Sequence, residues 1–156
     1  MARSNLGRIL TRSRVNLAVN GSRVRVSWRE YVGTPTSDPT TGARTGTTEE
    51  QSIDLPAHLH FSDTGLQAVQ LHNEIETGDC IAVFAADAPF DQGGRLTATA
   101  AAVPDSVRFT LLDGKGVPVP GEVFVARPLG GALAQMWDAR MGGHALHRTL
   151  LLRKAT

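Results

Sequence analysis

Residues 24–61 read VRVSWREYVG-TPTSDPTTGARTGTTEEQ-SIDLPAHLHF, and this stretch decides the fold. Val24, Val26 and Trp28 alternate with Arg25, Ser27 and Arg29, the two-residue period of a half-buried strand. Ile53, Leu55, Ala57, Leu59 and Phe61 alternate with Asp54, Pro56, His58 and His60, which predicts a second strand. Between them lies Asp38-Pro39-Thr40-Thr41-Gly42. Asp38 can accept from the backbone ahead of it, Pro39 presets φ for a turn, and Gly42 tolerates positive φ. The whole predicts one long β-hairpin whose tip projects beyond the sheet. Such a device touches a neighbour; it carries no catalytic signature.

The loop from Gly33 to Gln51 holds seven threonines in 19 residues and almost nothing apolar. It cannot bury enough surface to order itself, although threonine suits strands that a partner supports. A loop of this length in a compact domain points to function or disorder.

Working outward, Val15, Leu17 and Val19 alternate into Asn20-Gly21, a tight-hairpin signal leading to Val24. An N-terminal arm that packs elsewhere is the competing reading. Residues 1–14 form a basic arm, with Leu6, Ile9 and Leu10 at helical spacing. Downstream, strands are expected at Leu66–Leu71, Cys80–Ala86, Leu96–Val103, Val107–Leu111 and Val123–Ala126, separated by Gly, Asp and Pro turns. Val117–Pro120 is too proline-rich for a central strand. Leu133–Met141 is the best helix candidate, with Gly142-Gly143 as its stop. Leu146, Leu150 and Leu152 predict a final strand. The expectation is a mainly β fold: one domain spanning residues 1–156, a small β-barrel or sandwich with a long projecting hairpin and one or two short helices.

At 156 residues the chain can bury a core without staples, and a single cysteine, Cys80, excludes an internal disulfide framework. In the run Gly78-Asp79-Cys80-Ile81-Ala82-Val83-Phe84, Cys80 reads as a small buried hydrophobe. No apolar run approaches the ~20 residues that span a bilayer. The N-terminus lacks a continuous apolar segment and a small-residue cleavage site, so synthesis in the cytoplasm is expected. Net charge is +1, yet it is unevenly spread. Residues 1–29 hold Arg3, Arg8, Arg12, Arg14, Arg23, Arg25 and Arg29 without an acid. Residues 74–91 hold Glu74, Glu76, Asp79, Asp87 and Asp91 without a base. The tail turns basic again at Arg140, Arg148, Arg153 and Lys154. Such separation suits docking between complementary surfaces or a face toward nucleic acid, and equally a solvated arginine-rich surface.

The chemistry of catalysis is sparse. His58 and His60 share a strand face, but no third ligand stands at a supporting spacing, so surface histidines are the simpler reading and no metal is expected. Glu74 and Glu76 flank a turn, and eight aromatic residues do not furnish a sugar cleft. Gly-x-Ser-x-Gly, His-Glu-x-x-His and a phosphate loop with its lysine are missing; Gly130-Gly131 is only an echo of the last. No cofactor and no enzymatic activity are expected. A hydrolytic site around His58, His60 and Glu74 is the remaining catalytic alternative. The arginines lack interleaved rings for base stacking, leaving backbone contact with nucleic acid.

A strand bearing an aromatic residue, the run Tyr31-Val32-Gly33 … Asp38-Pro39-Thr40-Thr41-Gly42 … Thr45-Gly46-Thr47, and Glu76-Thr77-Gly78-Asp79 before an apolar strand resemble the head-closure (stopper) proteins in the neck of tailed bacteriophages. The resemblance falls on Val24–Leu55 and Glu76–Phe84, and Pro104-Asp105-Ser106-Val107 fits the family's usual run. It implies a small barrel in a homo-oligomeric ring beneath the portal and adaptor, with an extended loop that helps close the DNA channel and dock the tail. The implied partners are copies of itself, portal, adaptor and tail proteins, and packaged DNA, with no membrane. The implied location is the virion, after the host cytoplasm. Asp38, Pro39, Thr40, Thr41 and Gly42 would contact a partner; Arg3, Arg8, Arg12 and Arg14 would face DNA or an acidic surface. The chain is longer than such proteins usually are, by its basic N-terminus and residues 121–156. A tail terminator or other tail-completion protein therefore stays open, as does a nucleic-acid-binding β-barrel module.

Overall fold

A computed structural model describes Asn16, Val19, residues 21–61, 78–89, Val103, 106–126, 136–141 and 144–156, with backbone alone for 136–146. Its strands are β1 (Ser22–Tyr31), β2 (Thr36–Ser37), β3 (Arg44–Thr45), β4 (Thr48–Phe61), β5 (Cys80–Ala85), β6 (Arg108–Leu112), β7 (Pro118–Ala126), β8 (Met136–Met141) and β9 (His144–Lys154). The fold is mainly β, and every strand pairing is antiparallel.

The large sheet runs β5-β4-β1-β6-β7-β9-β8, and β5 also pairs with β9. The sheet is therefore rolled. Of the barrel or sandwich left open by the sequence reading, it is not a closed regular barrel, because the β7–β9 seam holds only Phe124↔Lys154, Val125↔Arg153 and Ala126↔Leu152. Beyond that seam β8 takes over the edge of β9. The core fills the inside of the roll. Val24 and Val26 from β1, Ala57 from β4, Cys80, Ala82 and Phe84 from β5, Phe109, Phe124, Leu150 and Leu152 meet there. β5 is apolar at every position, and its burial alternates between buried and half-buried, as the two-residue period of a strand requires. Phe84 and Phe109 stack at a tilt of 47° with centroids 6.2 Å apart, within the favourable range for aromatic pairs. Leu151 points to the opposite face from Leu150 and Leu152 and is buried as well, so β9 is apolar on both faces.

Two expected elements are corrected. The hairpin at Asn20-Gly21 does not form: Asn16 and Val19 are helical, and the two edges of β1 pair with β4 and β6. With both edges taken, a preceding strand has nowhere to pair. The helix expected over Leu133–Met141 is, from Met136 onward, strand β8, paired with β9 from Met136↔Leu150 to Met141↔His144. Glycine pairs serve as helix stops and as hairpin connections alike, and here only Gly142-Gly143 separate two paired strands. Val117–Pro120 also differs in part, since β7 begins at Pro118. Its proline-rich end nevertheless meets β6 only at Leu112↔Pro118, after an irregularity in register, and β9 joins only from Phe124. That is where a strand tolerates residues lacking an N–H. The expected strands at 66–71 and 96–102 and the helical spacing in the 1–14 arm lie outside the described residues.

One ion pair ties the roll together. Arg153 of β9 donates from Nε and Nη2 to both carboxylate oxygens of Asp79 at 2.9 and 3.0 Å, and Asp79 is 2% exposed. Arg25–Asp54 has the same two-point geometry at 2.7 and 3.0 Å but lies in solvent. Removing one partner of a buried pair strands a charge, whereas an exposed pair is screened. Arg153→Met is expected to lower the urea-unfolding free energy by about 3 kcal/mol. Arg25→Met should leave the unfolding midpoint nearly where it was; equal effects would show that burial of Asp79 is not what matters.

Candidate functional site: the projecting hairpin

β1 and β4 pair over ten residues, from Ser22↔Ala57 to Tyr31↔Thr48. β6 supports only Arg23–Ser27 on one side, and β5 supports only Ala57–Phe61 on the other. Among the described strands β1 and β4 outrun their neighbours, and none of those strands flanks the outer part of the ribbon. One face carries Val24/Leu55, Val26/Ile53, Trp28/Gln51 and Glu30/Glu49 in succession. Burial fades along it: Val24 and Val26 are buried, Trp28 and Leu55 are partly buried against the core, and Ile53 is exposed.

Several contacts brace the projection. Trp28 Nε1 donates to Glu30 Oε1 at 2.8 Å. The Arg29 amide donates to Ser106 Oγ, and its carbonyl accepts from the Val103 amide. Further out, Val32 N–H reaches Thr47 O at 2.8 Å and Tyr31 Oη donates to Arg44 O at 3.0 Å. Gly46 lies against the Tyr31 ring, where a Cβ would come within 3.2 Å of a ring carbon. Sequence reading missed this tyrosine latch, although Tyr31-Val32-Gly33 and Thr45-Gly46-Thr47 flank it.

The five expected tip residues are brought together. β2 and β3 pair through Thr36↔Thr45 and Ser37↔Arg44, and the chain reverses across Asp38–Gly42. Asp38 Oδ1 accepts from the Thr40 and Thr41 amides at 2.8 and 3.4 Å, Asp38 O accepts from Gly42 N–H, and Ala43 O accepts from Asp38 N–H. Thr41 Oγ1 accepts from the Ala43 amide, and Gly42 sits at φ 69°. The threonine-rich loop thus satisfies its backbone by local hydrogen bonds instead of burial. Principally the Thr40 amide, then the Thr41 hydroxyl, holds the Asp38 carboxyl below its ordinary pKa.

Two depressions flank the base. A mainly apolar groove of about 460 Å³ lies between β4 and the turn after β5, lined by Ile53, Leu55, Pro56, Phe84, Ala88 and Pro89 among others. A more polar cleft of about 420 Å³ lies between Trp28, Arg29, Glu50, Ser106 and Arg108. His58 and His60 stand opposite Val83 and Ile81 on β5, half-buried and exposed respectively. Among the described residues no group of three His, Cys, Asp or Glu is placed to hold a metal. Burial pushes the Cys80 thiol up to about 12. Arg3, Arg8, Arg12 and Arg14, with His72, Glu74 and Glu76, lie outside the described residues. No helix among the described residues is long and apolar enough to cross a membrane.

The chain matches no protein-family model, no curated protein and no solved structure.

A carboxyl whose folded pKa is depressed contributes to order above its unfolded pKa and loses that contribution as pH falls through the folded value. The Thr40 and Thr41 amide shifts should therefore hold from neutral pH into the acid range and move together below the ordinary aspartate pKa. A midpoint at the ordinary value would show that the tip bonds do not persist in solution. For Cys80, a disulfide reagent at pH 8 should label the thiol only after denaturation; rapid labelling of folded protein would contradict its burial.

Proposed function

We propose that this chain is a structural protein of the neck of a tailed phage, acting in a ring that joins portal and adaptor to the tail and helps close the DNA channel. The observation that carries the reading is the hairpin. It is built from the residues that resemble the head-closure proteins, it projects past the strands that support its base, and its tip is ordered by its own hydrogen bonds. Those bonds give a preformed shape that lowers the ordering cost of docking. Asp38, Pro39, Thr40, Thr41 and Gly42 are the proposed contact with a neighbouring subunit or the channel. Arg3, Arg8, Arg12 and Arg14 are the proposed contact with DNA or an acidic surface. A tail-completion ring is the close variant of the same proposal, because a projecting hairpin serves any ring-to-ring joint.

Deleting 35–48 removes the tip, β2, β3 and the first residue of β4 while leaving every residue that pairs with β5 or β6. The truncated chain should unfold cooperatively with a midpoint close to that of the full chain. In a phage whose own copy carries the deletion, infectious yield should fall by orders of magnitude. Normal yield from a folded deletion would overturn the proposal.

A further inference from the structure

We infer that the outward face of β1 and β6, through Arg23, Arg29 and Arg108, binds the phosphate backbone of duplex DNA. The inference goes beyond the neck reading and does not depend on it. Side chains alternate along β1, so Arg23, Arg25, Ser27 and Arg29 lie on the face opposite the buried Val24 and Val26. β6 adds to that face, with Arg108 across from Ser27 and Thr110 across from Arg25. Arg23, Arg29 and Arg108 are all exposed. From β4 come Asp54 and Glu50, opposite Arg25 and Arg29. Asp54 takes up Arg25 by two hydrogen bonds. The described residues of this face thus set four arginines against two acids, and both acids lie on the β4 side.

The surroundings specify the occupant. Arg29 and Arg108 line the polar cleft of about 420 Å³ together with Ser27, Ser106 and Glu50. Hydroxyls at Ser27, Ser52 and Thr110 are interleaved with the arginines, and these are the side-chain types that bond phosphate oxygens. The outward positions of β1 from Arg23 to Arg29, β4 from Glu50 to Asp54 and β6 from Arg108 to Thr110 carry no ring and no large aliphatic side chain. Protein interfaces are anchored by buried aromatic and apolar groups, which this face lacks. A stacking platform for single strands needs outward rings, and Trp28 belongs instead to the set packed against the core. Charge-assisted contact with a duplex backbone needs neither. At about 3.4 Å per residue, Arg23 and Arg29 lie roughly 20 Å apart, a length over which a duplex presents about a dozen phosphates. The net charge of +1 is too small to hold DNA by itself, so binding must come from this clustering. Glu50 opposes it, because its carboxylate lines the same cleft.

The test uses full-length protein. Fluorescence anisotropy at low salt should show the wild type binding a labelled duplex of about 20 base pairs, and binding it more weakly as salt rises. The face variant carries Arg23→Gln, Arg29→Gln and Arg108→Gln. The bonds from Arg29 to Ser106 and Val103 use its backbone, so glutamine there keeps the brace. This variant should bind about tenfold or more weakly, with the slope of log K against log salt flatter by about two to three. The control variant carries Arg44→Gln, Lys115→Gln and Lys154→Gln, all exposed, off this face and equal in charge lost. It should keep the wild-type slope. Glu50→Gln should tighten binding severalfold. Circular dichroism and urea unfolding confirm that each variant is folded. No binding by the wild type, a face variant that binds like wild type, a control that falls as far, or a Glu50→Gln protein no tighter than wild type would each overturn the inference. The second of these would assign the DNA to arginines elsewhere in the chain. Polyglutamate that displaces the duplex as well as unlabelled DNA does, at equal charge, would assign the face to an acidic protein and overturn it too. Binding by this face together with normal phage yield from the 35–48 deletion would sink the neck reading and leave the inference standing.

Discussion

Everything distinctive about this fold depends on the offset between the β1–β4 ladder and the strands that flank it. Ten residue pairs join β1 to β4, but β6 covers only the lower half of β1 and β5 only the lower end of β4. A two-stranded ribbon is marginal by itself in water. Its root is therefore sunk in the core through Val24, Val26 and Ala57, which are buried, and Trp28 packs against that core. Beyond Trp28 no described residue of the ribbon's outer end belongs to the core cluster, and polar contacts take over: Ser106 and Val103 hold Arg29 from the side, and Tyr31 latches the backbone at Arg44. Shortening the ladder to match its neighbours would give a plain rolled sheet with nothing to present.

The same division appears in the chemistry of the hairpin. Near the core, stability comes from apolar area removed from water. At the tip it comes from an aspartate side chain and a threonine hydroxyl that accept from otherwise unsatisfied amides. Low apolar content led to the expectation that residues 33–51 could not order themselves. Composition measures burial, and hydrogen-bonded turns do not need it. Asp38, Thr41 and Gly42 were individually readable as turn residues; what composition hid was that they satisfy one another as a set.

Strands with a clear apolar signal were legible in the sequence: β1, β4 and β6 fall where alternating apolar residues placed them, and β5 where a continuous apolar run did. Cys80 was likewise read as a buried small side chain, and it is 1% exposed. Where the reading failed, the signal was shared by two structures. Asn20-Gly21 is a good hairpin turn, yet whether a hairpin forms depends on which edge of β1 is vacant, and β4 and β6, which begin 26 and 86 residues after Ser22, claim both edges of its first half. Met136–Met141 before two glycines suits a helix end or a hairpin arm, and the open edge of β9 chooses the latter. The Asp79–Arg153 pair joins residues 74 apart and leaves no local mark. In each case the deciding contact is long-range, which local pattern does not encode.

The two faces of the hairpin differ in how their charges are resolved. On one face Arg25 pairs with Asp54 by two hydrogen bonds, and Arg29 stands opposite Glu50 in the ladder. On the other, the apolar series that begins at Val24 and Leu55 ends in Glu30 opposite Glu49, with the indole N–H of Trp28 donating to Glu30. The first face closes on itself at Arg25 and Asp54, whereas the other is apolar near its root and acidic at its outer end.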